Sequence, residues 1–155
     1  MIKLVGKESS ENIEKLVYSL LEEIVSRTGT DHFEFNREKA KTLSKEFIES
    51  EKYFVFAALT EDTIVGCATV CESCSLYALG SFGIVQEFYV KPEFRSTGIG
   101  KDMLDAISNF AKTKKWQRLE LCTPPTPEFN NTVEFYKTNG FEVTGGHKMR
   151  KLLPE

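Results

Sequence analysis

The sequence predicts an α+β sandwich with a mixed, mostly antiparallel central sheet of about seven strands flanked by four helices. Three observations carry this. Apolar runs and helically spaced stripes alternate in the order strand, helix, helix, three strands, helix, strand, helix, two strands. Two runs over residues 53–70, rich in β-branched and aromatic residues and split by Thr60-Glu61-Asp62-Thr63, read as an antiparallel hairpin. A third run stops at Lys91-Pro92 and is followed by a helix and a short strand at 118–122, which makes one parallel crossover. A chain of 155 residues suits one domain, 1–155, large enough to bury a substantial core.

Taken in order, residues 2–5 form a short first or edge strand ending at Gly6. Ile13, Leu16, Val17, Leu20, Leu21, Ile24 and Val25 recur every three or four residues, the stripe of an amphipathic helix capped by Ser9 or Ser10 and stopped at Thr28-Gly29-Thr30. A second helix starts after Asn36 and turns Ala40, Leu43, Phe47 and Ile48 inward. Between the helices, residues 31–35 have no period, and hydrophobic packing of Phe33 and Phe35 is the simplest use of their rings. In the hairpin, Gly66 marks a candidate bulge. Residues 71–80 read either as an extension of the strand or as a loop. The run at 82–90 is apolar as a central strand should be. Ile99, Met103, Leu104, Ile107, Phe110 and Ala111 then define the most regular helix of the chain.

Thr123-Pro124-Pro125-Thr126-Pro127 cannot join a ladder, because its prolines have no N–H. A last helix at 130–139 carries Val133, Phe135 and Tyr136, with Gly140 at its end. Residues 141–144 and 148–152, separated by Gly145-Gly146, read as a closing hairpin.

Composition narrows the function. The chain is 41% hydrophobic and 28% charged, with a formal charge of -3 and no long Lys/Arg cluster, which argues against a nucleic-acid or membrane-surface binder. No apolar run reaches the ~20 residues of a membrane span. The four cysteines and the lack of a signal peptide point to reduced, structural thiols in the cytoplasm. Cys71-Glu72-Ser73-Cys74 has the spacing of half a zinc site, but no second pair follows and His32 and His147 stand alone, so no metal is expected.

The chemistry concentrates at Val90-Lys91-Pro92-Glu93-Phe94-Arg95-Ser96-Thr97-Gly98-Ile99-Gly100-Lys101. A basic residue and two glycines at a helix start make an anion cradle: the first amides of a helix have no intrahelical partner, the dipole is positive there, and glycine admits close approach. Two other glycine loops fail. A P-loop would need glycine at Arg95 and a hydroxyl at Asp102, and a dinucleotide fingerprint would need a small residue at Met103.

Phe88-Tyr89-Val90-Lys91-Pro92 leading into Arg95-Ser96-Thr97-Gly98-Ile99-Gly100, followed by Glu134-Phe135-Tyr136-Lys137-Thr138-Asn139-Gly140-Phe141, resembles the paired motifs of GCN5-related N-acetyltransferases (GNAT). The resemblance runs from about residue 2 to 152, with its specific signal between 82 and 141. It implies an acetyl-CoA-dependent N-acetyltransferase that acts directly on a primary amine of a small molecule or protein. The backbone of Arg95, Ser96, Thr97, Gly98, Ile99, Gly100 and Lys101 would hold the CoA pyrophosphate. Charge would come from Arg95 and Lys101, and the main chain of Phe88, Tyr89 and Val90 would take the pantetheine arm. A family bulge would splay this strand from the one at 118–122 to admit the cofactor, and an N–H near Phe88 would polarise the thioester carbonyl.

By the same resemblance Tyr136 is the general acid that returns a proton to the CoA thiolate. For the base, Glu87 leads, with Glu120 or water as alternatives. Gln86 stands where some relatives, polyamine acetyltransferases among them, carry glutamate. Neighbouring strand residues face opposite sides, so only a bulged strand presents both Gln86 and Glu87 to one cleft. The family asparagine seven residues before the tyrosine falls on Phe129, which leaves Asn131 or Asn130 to contact CoA. Homodimers are common in the family, and the edge of the closing hairpin is compatible with one. The competing reading is a non-catalytic acyl-CoA-binding or interaction module of the same fold. The acceptor amine is open.

Overall fold

The computed structural model describes residues 1–31 and 33–155; His32 lies outside them. Chain contacts define two compact units, Met1–Leu121 and Cys122–Glu155.

In the first unit, β1 (Ile2–Val5), β2 (Tyr53–Thr60), β3 (Thr63–Ser75), β4 (Gly80–Val90) and β5 (Leu119–Leu121) lie side by side in chain order. The first four are antiparallel and β5 joins β4 in parallel. Residues 71–80 resolve as strand through Ser75, then a tight turn with Leu79 at φ 54° before β4 starts at Gly80.

Two helices precede β2. Helix α1 (Ser10–Thr28) has Ser9 at its N-cap and ends where Gly29 adopts φ 72° and donates its amide to Val25. Helix α2 (Arg37–Glu49) is capped by Asn36, whose side chain accepts from the Lys39 amide at 2.9 Å. Helix α3 (Ile99–Thr113) connects β4 to β5.

Strand alternation sorts the core onto the two faces of the sheet. Val55, Cys67 and Tyr89 pack with Ile13, Leu16 and Val17 of α1. Phe56, Ala68, Val70, Val85 and Val90 pack with Met103 and Ile107 of α3. Fully burying residues such as Met103 and Ile107 contributes ~1.5–3 kcal/mol each, so α3 holds the loop before it firmly.

Two predicted inward residues stay outside. Phe33 is exposed, whereas Phe35 stacks on Tyr18 with 6.2 Å between ring centroids. Phe47 is 45% exposed, because Ser44, not Phe47, occupies the buried line of α2.

Two bulges interrupt the ladders. Ala58 pairs with Gly66 and Leu59 with Ile64, so Val65 is the extra residue and the irregularity falls beside Gly66. Gly66 itself is required by close approach: a Cβ there would lie 2.9 Å from the Tyr89 carbonyl oxygen. In β4, Thr69 pairs with Glu87 and Val70 with Val85, which leaves Gln86 unopposed.

In the second unit, α4 (Asn130–Thr138) ends in a turn where the Phe141 amide reaches the Tyr136 carbonyl at 3.0 Å and Gly140 takes φ 93°. This is a Schellman stop, which only glycine enters without strain. The predicted closing hairpin over 141–144 and 148–152 does not form. Among the described residues no strand follows α4, and Val143, Met149 and Leu152 are exposed. Gly145 and Gly146 do hold positive φ, but a lone pair of strands with no covered face is marginal in water. The sheet therefore has five strands among the described residues in place of about seven. Among the described residues the count of four α-helices stands.

Candidate active site

The bulge at Gln86 is the geometric origin of the site. The parallel β4–β5 ladder covers Gly83, Ile84 and Val85 opposite Leu119, Glu120 and Leu121 and stops there. Beyond Val85, β4 continues to Val90 paired with β3. The Lys91 amide donates to Val65 on β3, so by alternation Glu87 and Tyr89 direct their peptide groups to β3. Phe88 and Val90 direct theirs to the edge where β5 no longer pairs. Of the three residues expected to offer main-chain bonds, two therefore face the opening and Tyr89 faces its neighbour strand. The extra residue that bends a strand is invisible to alternation.

At the end of β4 a 3₁₀ turn, Pro92–Phe94, leads to the cradle. Ser96 and Gly98 both hold left-handed backbone, φ 61° and 92°, and α3 starts at Ile99. The first helical bond at this end runs from the Asp102 amide to the Gly98 carbonyl at 3.0 Å. The amides of Ile99, Gly100 and Lys101 thus precede the ladder and point out of the helix end. They are joined by an alternation of backbone hand at Ser96 to Gly98, the kind of concavity that suits an anion. A Cβ at Gly98 would meet nothing within 4 Å, so it is the conformation that demands glycine there.

The two basic side chains both pair with carboxylates. Arg95 turns back: its Nε donates to the Val90 carbonyl at 2.8 Å, its Nη2 to Glu23 at 2.7 Å, and its guanidinium lies 5.2 Å from the Tyr89 ring centroid. Its own amide goes to Pro92. Arg95 is thus a brace between α1, β4 and the cradle. Burial pushes the Glu23 carboxyl up, but Arg95 and then Arg27 outweigh it, and the net shift is downward. Lys101 pairs with Asp105 at 2.6 Å one turn along α3, leaving its charge exposed near the helix start.

On the α1 side of β4, Glu87 sits in a cross-strand cluster. Its Oε2 accepts from the Tyr53 hydroxyl at 3.2 Å and from the Thr69 hydroxyl, while its amide donates to Thr69 Oγ1 at 3.1 Å. Oε1 is engaged by neither. Burial raises the Glu87 carboxyl above the usual range, against the opposing pull of those two donors. Burial and then the Glu87 charge raise the Tyr53 phenol, which stays a proton donor. Beside this cluster is a cavity of about 310 Å³ lined by Phe47, Ser50, Lys52, Tyr53, Cys71, Gln86 and Glu87. The bulge brings Gln86 and Glu87 onto the same cavity, which a regular strand would not do.

The alternative base, Glu120, is committed elsewhere: it accepts from the Tyr77 hydroxyl at 2.6 Å and pairs with Arg118 at 3.1 Å. Tyr136 is buried on α4, edge-on to Phe135 and Phe141, and burial raises its phenol well above the ordinary value. A phenol so shifted is fully protonated at neutral pH, as a general acid must be. Phe129 is buried at the N-cap of α4, and Asn130 and Asn131 follow it on the exposed first turn.

Sequence reasoning missed Glu23, Tyr53, Thr69, Phe47 and Cys71. Thr69 and Cys71 share the parity of Cys67 on β3, a signal that was present; Glu23 gives none, because an acidic residue on a helix flank is ordinary.

Known proteins share the family and the fold of this chain. The acetyltransferase (GNAT) domain family matches residues 51–143. The chain is a GNAT acetyltransferase. Its fold is shared with aminoglycoside N-acetyltransferase AAC(6')-Iy in complex with CoA (TM-score 0.80, 16% identity, covering 98% of this chain and 93% of that one). It is shared too with a predicted acetyltransferase with acetyl-CoA from Clostridium acetobutylicum (0.80, 15%, 97% and 95%). Ribosomal-protein-alanine N-acetyltransferase from Brucella melitensis biovar Abortus 2308 is a third (0.73, 16%, 98% and 99%). No curated protein sequence matches the chain. Among the described residues of this acetyltransferase no helix is long and apolar enough to cross a membrane.

Proposed function

We propose that this acetyltransferase moves the acetyl group of acetyl-CoA directly to a primary amine of a small molecule or protein within a ternary complex. The observation that carries the reading is the division of labour at the bulge. Consecutive residues serve opposite sides of the sheet, the Phe88 peptide at the opening beside β5 and the Glu87 carboxylate at the cavity under α2.

The amides of Ser96 to Lys101 receive the pyrophosphate, and Phe88 and Val90 pair with the pantetheine arm as an added strand would. Asn131, on the first turn of α4, is the further contact to CoA. The amine nitrogen attacks the thioester carbon while Glu87 takes its proton. The Phe88 N–H bears the developing oxyanion, and as the C–S bond breaks Tyr136 returns a proton to the thiolate sulfur. The acceptors named for the relatives, an aminoglycoside and a ribosomal-protein alanine, differ from each other, so this chain's own cavity decides the acceptor.

Calorimetric titration with acetyl-CoA, followed by free-thiol release across an amine panel, tests the reading. Saturable binding with amine-dependent thiol release is expected. Binding without turnover of any amine would instead support a non-catalytic module.

A further inference from the structure

Resting on that reading, we infer that the acceptor is a small primary amine carrying a single positive charge on an apolar, ring-sized body, and not a polycation. The cavity beside Glu87 is built for one ammonium. Among the described residues that line it, Glu87 is the one carboxylate and Lys52 the one cation; Ser50 and Gln86 are neutral. An amine with two or three ammonium groups would leave the others facing Lys52, and Glu49, the acidic residue at the end of α2, is already paired with Lys7 at 2.7 Å. Repulsion of a second cation is a means of selection as effective as attraction of the first.

The walls supply the rest. Phe47 and Tyr53 stand 5.4 Å apart between ring centroids at 59°, and Cys71 adds an apolar surface. Phe47 is 45% exposed although its ring lies on the cavity, so a ligand gains apolar contact there without displacing any core residue. At about 310 Å³ the space lies at the small end of ligand pockets, roughly 300–1,000 Å³, enough for a ring on a short arm.

The test begins with acetyl-CoA titration, then compares thiol release with 2-phenylethylamine, spermidine and an aminoglycoside. We expect kcat/KM for 2-phenylethylamine to exceed both polycations by about tenfold or more, since a mismatched pocket discriminates by roughly 10–200-fold. Phe47→Ala should raise KM for 2-phenylethylamine about tenfold with kcat little changed, and Lys52→Glu should improve spermidine by a similar factor. A protein that fails to bind acetyl-CoA defeats the acetyl-transfer reading and this inference with it. One that binds acetyl-CoA and acetylates some amine, yet prefers spermidine or the aminoglycoside or leaves 2-phenylethylamine unreacted, overturns the inference alone.

Discussion

The proposed donor loop and the proposed acceptor cavity both adjoin β4 but are made of different material. The loop from Ser96 to Lys101 is backbone: positive φ at Ser96 and Gly98, and amides ahead of the first helical bond. The cavity is side chain, gathered from α2, β2, β3 and β4. A backbone site needs its glycines at fixed spacing, so it writes a motif into the sequence. A side-chain site needs only that distant residues share a face, and it writes none.

Substitutions can break this contrast. The largest effects should come from the two proposed proton carriers. Tyr136→Phe should lower kcat by about 10²–10⁴ with acetyl-CoA affinity unchanged, the usual worth of a positioned acid; an unaltered turnover number would remove Tyr136 from the role. Glu87→Gln should lower kcat comparably and abolish the limb of the rate profile that rises with pH through the raised Glu87 value.

The same variant has a stability signature. Because the folded carboxyl titrates above its unfolded value, the fold favours the protonated form, and ionisation destabilises it progressively as pH rises from ~4.3 through the folded value. Glu87→Gln should therefore match the parent in acid and melt at the same or a higher temperature at neutral pH. A lower melting temperature confined to neutral pH would show that the Tyr53 and Thr69 bonds outweigh burial.

Next in size is the donor loop. Gly98→Val forces a branched residue to φ 92° at an estimated ~1–3 kcal/mol, so acetyl-CoA binding should weaken roughly 5–150-fold while acceptor KM stays put. Calorimetry with acetyl-CoA decides it; equal affinity would mean the loop is not the pyrophosphate site. Arg95→Ala removes the brace to Glu23 and the Val90 carbonyl rather than a phosphate contact. We expect only a several-fold rise in KM for acetyl-CoA, at the ~1 kcal/mol level of a partly exposed pair, with little dependence on salt. A steep salt dependence lost in the variant would restore Arg95 as a direct ligand.

The smallest effect sharpens the contrast from the acceptor side. Asn36→Ala deletes the cap of α2 and should cost about 1 kcal/mol in denaturant unfolding. Because α2 carries Phe47 and ends at Ser50, any kinetic change should fall on acceptor KM and leave acetyl-CoA binding untouched.

Much of the fold was legible because it rests on periodic burial. The stripe from Ile99 to Ala111 and the one from Ile13 to Val25 became α3 and α1, and the run at 82–90 became the strand flanked by both helices. The closing hairpin failed on the same reasoning. Gly145-Gly146 supplied a turn, but alternation in 141–144 cannot say which surface the strands would cover. The left-handed turn at Gly98 and the helix start beside it were readable down to single residues, although the direction in which Arg95 points was not, since a guanidinium serves a carboxylate as readily as a phosphate. Glu87 was legible as a residue of β4. Its partners Tyr53 and Thr69 come from strands whose register no local pattern fixes.

Gln86 has a genetic consequence as well as a geometric one. Deleting its codon would leave Val85 and Glu87 adjacent and still on opposite faces, so the core pattern of β4 reads the same with the insertion as without it. A single in-frame triplet therefore separates a regular β4 from a bulged one, with no compensating change among the buried residues on either side.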